Sequence, residues 1–156
     1  MRQETLLFVL DEENGKVLLA MKKVRFGAGK WNGVGGRVME GETIERAAMR
    51  EAQEEVGVTV SEKDLEKRAV IQFSFENKPE WSRVVHVFVA SRWAGEPAET
   101  EEMAPRWFAL DEIPFESMWV DDRFWLPRVL KGEKLDAAFH LNTDGSEILH
   151  QHIQTL

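Results

Sequence analysis

The apolar positions fall in short runs of β character separated by turn residues. Residues 5–10 (TLLFVL) and 16–21 (KVLLAM) are two such runs, and Asn14-Gly15 between them predicts a hairpin with a loose loop at 11–15. Residues 67–76, 84–92 and 106–110 read as further strands. Residues 135–141 and 147–154 flank Asp144-Gly145, which predicts a terminal hairpin. The periodicity changes in the middle of the chain. Thr43 is placed to cap a helix that runs to about Val56, and Gly57 to stop it. A second helix is expected to begin at Asp121 or Asp122 and to reach Leu130. Residues 23–36, rich in glycine and basic side chains, predict a loop. There is no repeat, low-complexity tract or linker. The pattern predicts one domain over residues 1–156, of α/β (α+β) class, with a mixed sheet packed between helices.

The first helix, in EGETIERAAMREAQEEVGV, raises a question of charge. At 100° per residue Ala47, Ala48 and Ala52 define its buried side, with Met49 and Val56 at the flank. Glu51 and Glu55 fall within about 20° of Ile44, and Glu54 lies at the edge of that arc. The three carboxylates therefore border the buried face. Only Glu54 has a cation, Arg50, at helical spacing. Two readings survive: a solvated acidic face, or clustered oxygens for a hard divalent cation, Mg²⁺ or Mn²⁺.

Composition narrows the field. With 156 residues and no cysteine, the chain can bury a core without disulfides and offers neither thiolate ligands nor a thiol nucleophile. That suits a reducing cytosol, and a cytoplasmic location is expected. The first residues resemble neither a signal peptide nor a membrane span. A net charge of −8 argues against a broad nucleic-acid surface. A small anionic substrate remains compatible with it if metal ions and local cations offset the field. Six Trp and nine Phe with no Tyr supply both core and flat-ligand stacking surfaces. His86 reads as a structural strand residue, and His140, His150 and His152 form no zinc pattern.

Gly36, five residues, Glu42, seven residues, then Arg50-Glu51-Ala52-Gln53-Glu54-Glu55-Val56-Gly57-Val58 resembles the Nudix box, G-x5-E-x7-R-E-U-x-E-E-x-G-U, where U is a bulky aliphatic. Every charged and glycine position matches, and only Ala52 departs, with looser packing beneath the helix as the expected consequence. The flanks KVLLAMKKVRFGAGKWNGVGGRVMEGET, EMAPRWFALDEIPFESMW and WVDDRFW are similar to the branch of that family that hydrolyses oxidised purine nucleoside triphosphates. The resemblance implies a Nudix fold and a Mg²⁺-dependent pyrophosphohydrolase (Mn²⁺ as substitute) acting on substrates of the 8-oxo-dGTP and 2-oxo-dATP type. It implies a monomer with no polymer or membrane partner, sanitising the nucleotide pool. Rival expectations are a Nudix hydrolase for unmodified triphosphates, methylated purine nucleotides or dinucleoside polyphosphates, and a nucleotide-binding module without turnover.

The same resemblance implies site residues. Glu51, Glu54, Glu55 and the Gly35 carbonyl are expected at the metal, with Glu102 as a further ligand or base. Arg50 is expected to orient a glutamate. Glu42 either supports the loop–helix geometry or simply favours the helix dipole. Asp121 and Asp122 are expected to read the base edge, one as carboxylate and one as acid, against the plainer reading of a helix cap. Asn32 is expected to add a base contact, Trp119 to stack, and Phe26 and Phe73 to line the pocket. Thr5 and Lys22 match substrate-contacting positions. The departures are Val120 where proline is usual, a longer first hairpin loop, and the segment NKPEWSR at 77–83, where Trp81 or Arg83 replaces a pocket methionine.

Overall fold

The computed structural model describes residues 1–156. The chain forms β1 (Arg2–Asp11), β2 (Lys16–Lys22), β3 (Trp31–Asn32), α1 (Ile44–Val56), β4 (Glu66–Phe75), β5 (Arg83–Ala90), β6 (Met103–Ala109), α2 (Asp122–Leu130), β7 (Leu135–Leu141) and β8 (Ile148–Thr155). Its sheet runs β3-β2-β1-β5-β4-β7-β8, with β6 also paired to β2. The β1–β5 and β4–β7 ladders are parallel and the others antiparallel.

Both predicted hairpins form, β1–β2 and β7–β8. Several boundaries differ from the sequence reading: β1 starts at Arg2 where 5 was expected, and β5 ends at Ala90 where 92 was expected. β6 starts at Met103, three positions before the expected 106, because it pairs with β2 along all of Lys16–Lys22. Pro105 is tolerated there because a strand paired on one side does not need every N–H. The expected loop at 23–36 contains β3, two residues bonded to Ala20 and Met21.

β1 and β2 pair only at their hairpin end, Val9↔Leu18 to Asp11↔Lys16, and then diverge. The chain after β3 enters the gap, bridging Leu7 with Val34 and Glu4 with Arg37. This wedge is glycine-rich for a steric reason. A Cβ at Gly35 would lie 1.9 Å from the Thr5 carbonyl oxygen, and one at Gly33 would lie 2.8 Å from the Leu7 carbonyl oxygen. Gly35→Ala is therefore expected to cost about 3 kcal/mol, the upper end for overpacking, because backbone must move. Chemical denaturation would measure this, and a loss below the range of ordinary surface substitutions would mean that the wedge adapts.

One face of the sheet packs a cluster with Trp125, Leu126 and Val129 of α2, the other a cluster with Ala48, Ala52 and Val56 of α1. α1 begins and ends as its sequence predicts. Thr43 accepts the Arg46 N–H at 3.1 Å, and Gly57 closes the helix at φ 73°. Ala52 is fully buried in the α1 cluster. α2 is anchored by Trp125, 1% exposed and edge-on to Phe8 at 6.0 Å.

Candidate active site

The wedge connects α1 to a cavity. Gly35 N–H donates to Glu55 Oε1 at 2.8 Å, and a Cβ at Gly36 would meet the Glu51 carboxyl carbon at 2.7 Å. The glycines thus bring main-chain groups to the acid-bearing side of the helix, while Gly35 and Gly36 also line a cavity of about 560 Å³, the size of a small-molecule site.

The charge question has a structural answer that helical spacing missed. Arg50 donates to Glu51 at 2.9 Å, to Glu54 at 3.1 Å and twice to Glu42, at 2.7 and 3.1 Å. Neighbouring helix positions do not normally face each other, but the long guanidinium reaches back along the helix. Glu42 also accepts the Met39 N–H, which favours the loop–helix reading of that residue. Glu55 has no such cation. It is 7% exposed, and burial pushes its pKa to about 8 against the opposing Gly35 N–H bond. The Gly35 carbonyl oxygen accepts no hydrogen bond within the chain. No three acid or histidine side chains converge as a metal cage here, with Arg50 gripping two of the three glutamates. The donor set still fits a hard divalent cation, since it is all oxygen and includes a buried carboxylate, Glu55, that makes no salt bridge.

Twelve residues singled out in the sequence line the cavity: Thr5, Lys22, Phe26, Asn32, Gly35, Gly36, Phe73, Trp81, Arg83, Trp119, Asp121 and Asp122. Phe26 lies between Trp81 and Trp119, with ring centroids 5.1 and 5.2 Å away, so three aromatics form one wall. Phe73 belongs to both core and cavity, stacking on Phe139 at 5.8 Å. Asn32 Oδ1 accepts the Gly33 N–H, leaving its amide donors free. Arg50, Glu51, Glu54 and Glu55 lie behind the glycine wedge and do not line the cavity, and Glu102 is not brought into it either. Glu102 is exposed and paired with Arg25 at 3.2 Å, although its charge adds to the upward shift at Glu55.

Asp121 and Asp122, each 2% exposed, sit at the start of α2. The capping explanation does not hold, since Asp121 makes no side-chain cap bond. It accepts the Trp125 indole N–H at 2.8 Å, and Asp122 Oδ2 has no hydrogen-bond partner. Burial raises both pKa values. Asp122 is raised further by the charge on Asp121, while the indole bond restrains Asp121. Both shifts favour the protonated form, and the repulsion from Asp121 adds to the shift at Asp122.

Sequence reasoning did not place Arg2, Glu4, Arg25, Lys30 or Trp125 at the cavity. Lys30 lies over the Trp119 ring at 5.2 Å. The aromatic and basic content of 23–36 was a usable signal for Arg25 and Lys30. Nothing local marks Arg2 or Glu4, which reach the cavity through the β1–β5 pairing.

A glycine wedge that delivers main-chain groups to a carboxylate helix is the arrangement of a Nudix fold, the class the sequence resembles. The chain belongs to the NUDIX domain family, whose pattern matches residues 1–129, and it is a Nudix hydrolase, a family that generally uses divalent metal ions. It is 47% identical to an oxidized purine nucleoside triphosphate hydrolase from Danio rerio, covering 94% of this chain and 91% of that protein. It is 49% identical to the protein of the same name from Mus musculus, covering 88% and 85%. A crystal structure of a Mutator MutT protein from Bacillus halodurans superimposes with a TM-score of 0.84 at 26% identity, covering 99% of this chain and 98% of that one.

Proposed function

We propose that this chain hydrolyses oxidised purine nucleoside triphosphates of the 8-oxo-dGTP and 2-oxo-dATP type to monophosphate and pyrophosphate, removing them from the nucleotide pool. The observation that carries this reading is the buried Asp121–Asp122 pair, with one oxygen unpartnered, in an aromatic cavity whose lining includes Gly35 and Gly36, the glycines that touch Glu55 and Glu51. A carboxylate accepts N–H donors from a base edge and its protonated neighbour donates to a carbonyl oxygen. Trp119 stacks on the base with Phe26 and Phe73 beside it, Asn32 donates its amide, and Thr5 and Lys22 contact the remainder of the nucleotide. Cations at 2, 22, 25, 30 and 83 around the cavity offset the chain's negative charge locally, which suits a polyanionic substrate.

In this reading Glu51, Glu54, Glu55 and the Gly35 carbonyl hold Mg²⁺, with Mn²⁺ as substitute and Glu102 as an outer ligand or base. An ion held there would supply charge neutralisation for the pyrophosphate and a more acidic water. Arg50, anchored by Glu42, orients Glu51 and Glu54. The reading extends to one domain over residues 1–156 and to a cytoplasmic monomer acting on small molecules. No helix is long and apolar enough to cross a membrane.

The direct test is pyrophosphate release from 8-oxo-dGTP, 2-oxo-dATP, dGTP and dATP at equal concentration, with Mg²⁺ or EDTA. Metal-dependent release favouring the oxidised nucleotides is expected, and equal release from all four would remove the substrate assignment.

Glu55 gives a second test through stability. Its folded pKa of about 8 lies above the ordinary 4.5, so the folded state binds the proton more tightly. That contribution to stability is complete below the unfolded value and is lost as pH rises through the folded one. Metal-free Tm is expected to fall between these values. Mg²⁺, which competes with the proton for the carboxylate, is expected to raise Tm more at the upper end than at the lower. A metal effect independent of pH, or retained in full by Glu55→Gln, would take Glu55 out of the metal site.

A further inference from the structure

The segment at 77–83 brings a cation, Arg83, to the cavity lining, and its bonding leaves part of it unused. Arg83 opens β5 beside Arg2 of β1 and Phe73 of β4. Its Nε donates to the Trp81 carbonyl at 2.9 Å, and Nη1 makes a long contact of 3.4 Å to Glu4 Oε2. Glu4 also meets Arg2 at 3.3 Å. Nη2 has no partner in the chain. The guanidinium is fixed at two points, lies 5.6 Å from the Phe75 ring centroid and lines the cavity. Burial works against its charge and Glu4 supports it. A half-buried guanidinium with a free pair of N–H groups has hydrogen-bonding capacity that only a cavity ligand or solvent can use.

We propose that Arg83 is a specificity-determining residue whose Nη2 donates to a carbonyl oxygen on the base edge remote from Asp121 and Asp122. This deepens the proposed function and rests on it. Asp121 and Asp122 stand at the start of α2 and Arg83 at the start of β5, two separate elements that line the same cavity, and the proposal assigns them different edges of one base. A purine oxidised on its imidazole ring carries a carbonyl oxygen at that remote edge, where the normal base has only a C–H. A donor held for that oxygen strengthens binding of the oxidised base and is left unsatisfied by the normal one. The competing geometry, donation to the ring nitrogen acceptor of an unmodified guanine, predicts the opposite selectivity.

The test compares wild type with Arg83→Met, which keeps much of the volume and removes the donors, and with Arg83→Lys. Two quantities are measured. One is the ratio of kcat/KM for 8-oxo-dGTP over dGTP with Mg²⁺, and the other is the ratio of affinities for 8-oxo-dGMP over dGMP by calorimetry without metal. Both ratios are expected to fall about tenfold in Arg83→Met, as for loss of one hydrogen bond to a charged group. The change should lie in KM more than in kcat, and Arg83→Lys should recover part of it. Unchanged ratios, equal losses on both nucleotides, or a greater loss on dGTP would overturn the proposal. If Arg83→Met does not unfold cooperatively, Glu4→Gln takes its place. It loosens the anchor and should shift both ratios the same way, and no shift would overturn the proposal. A wild type without preference in turnover removes the proposed function, whereas the monophosphate ratio judges Arg83 by itself.

Discussion

Glu54→Gln is expected to lower kcat about a thousandfold, roughly 4 kcal/mol of transition-state stabilisation, while leaving the fold intact. The two halves of that expectation have different causes. Glu54 is a 60% exposed side chain on α1 whose bond to Arg50 at 3.1 Å is a helical i,i+4 pair. Such exposed pairs contribute about half a kcal/mol, and Gln keeps an oxygen that can accept from Arg50. Unfolding by denaturant should therefore match wild type within about 0.5 kcal/mol. The catalytic loss comes from charge. An amide oxygen is a poorer ligand for a hard cation than a carboxylate and neutralises none of its charge. If the acids of α1 were only a solvated face, turnover and stability would both stay near wild type. A paired assay of kcat and unfolding separates the readings, and unchanged turnover would remove Glu54 from the metal site.

What was legible in the sequence divides by the range of the interaction. α1 could be placed to its caps because Thr43 and Gly57 act within a turn of their own positions. The hairpins were legible because their turns are local. The parallel β1–β5 ladder was not, since no residue of β1 states that its partner lies some 80 positions later. That pairing puts Arg2 and Glu4 beside Arg83, so this end of the cavity was invisible until the sheet was assembled. The glutamates show the same limit. Spacing correctly set Glu51 and Glu55 at the border of the buried face, but the reach of Arg50 depends on side-chain length and on Glu42 in the preceding turn. Asp121 shows it most clearly. Its position at the start of α2 suggested a cap, and only the packing of Trp125 reveals that its carboxylate is committed elsewhere.

Asp121→Asn and Asp122→Asn are expected to separate the two oxidised substrates. The pair is buried, and burial together with mutual repulsion disfavours ionising both, so in the proposed function Asp122 supplies the donor when the ligand needs one. Asn at 122 fixes that donor permanently. Turnover of 8-oxo-dGTP, whose edge offers N–H groups to one acid and a carbonyl to the other, should then fall by less than about tenfold. Turnover of 2-oxo-dATP, which requires the proton to move within the pair, should fall about a hundredfold, about the cost of leaving a buried polar group unpaired. Asn at 121 removes the ionised acceptor and alters the group held by the Trp125 indole. It should lower kcat/KM for 8-oxo-dGTP at least a hundredfold and abolish its preference over dGTP. The pH dependence follows. Raising the pH removes the shared proton, so KM for 8-oxo-dGTP should rise at alkaline pH in wild type, and this rise should be absent in Asp122→Asn, which cannot lose its donor. Steady-state kinetics on both substrates across pH measures all of this. If both Asn variants slow the two substrates equally, the pair supports the fold of the pocket wall and does not read the base.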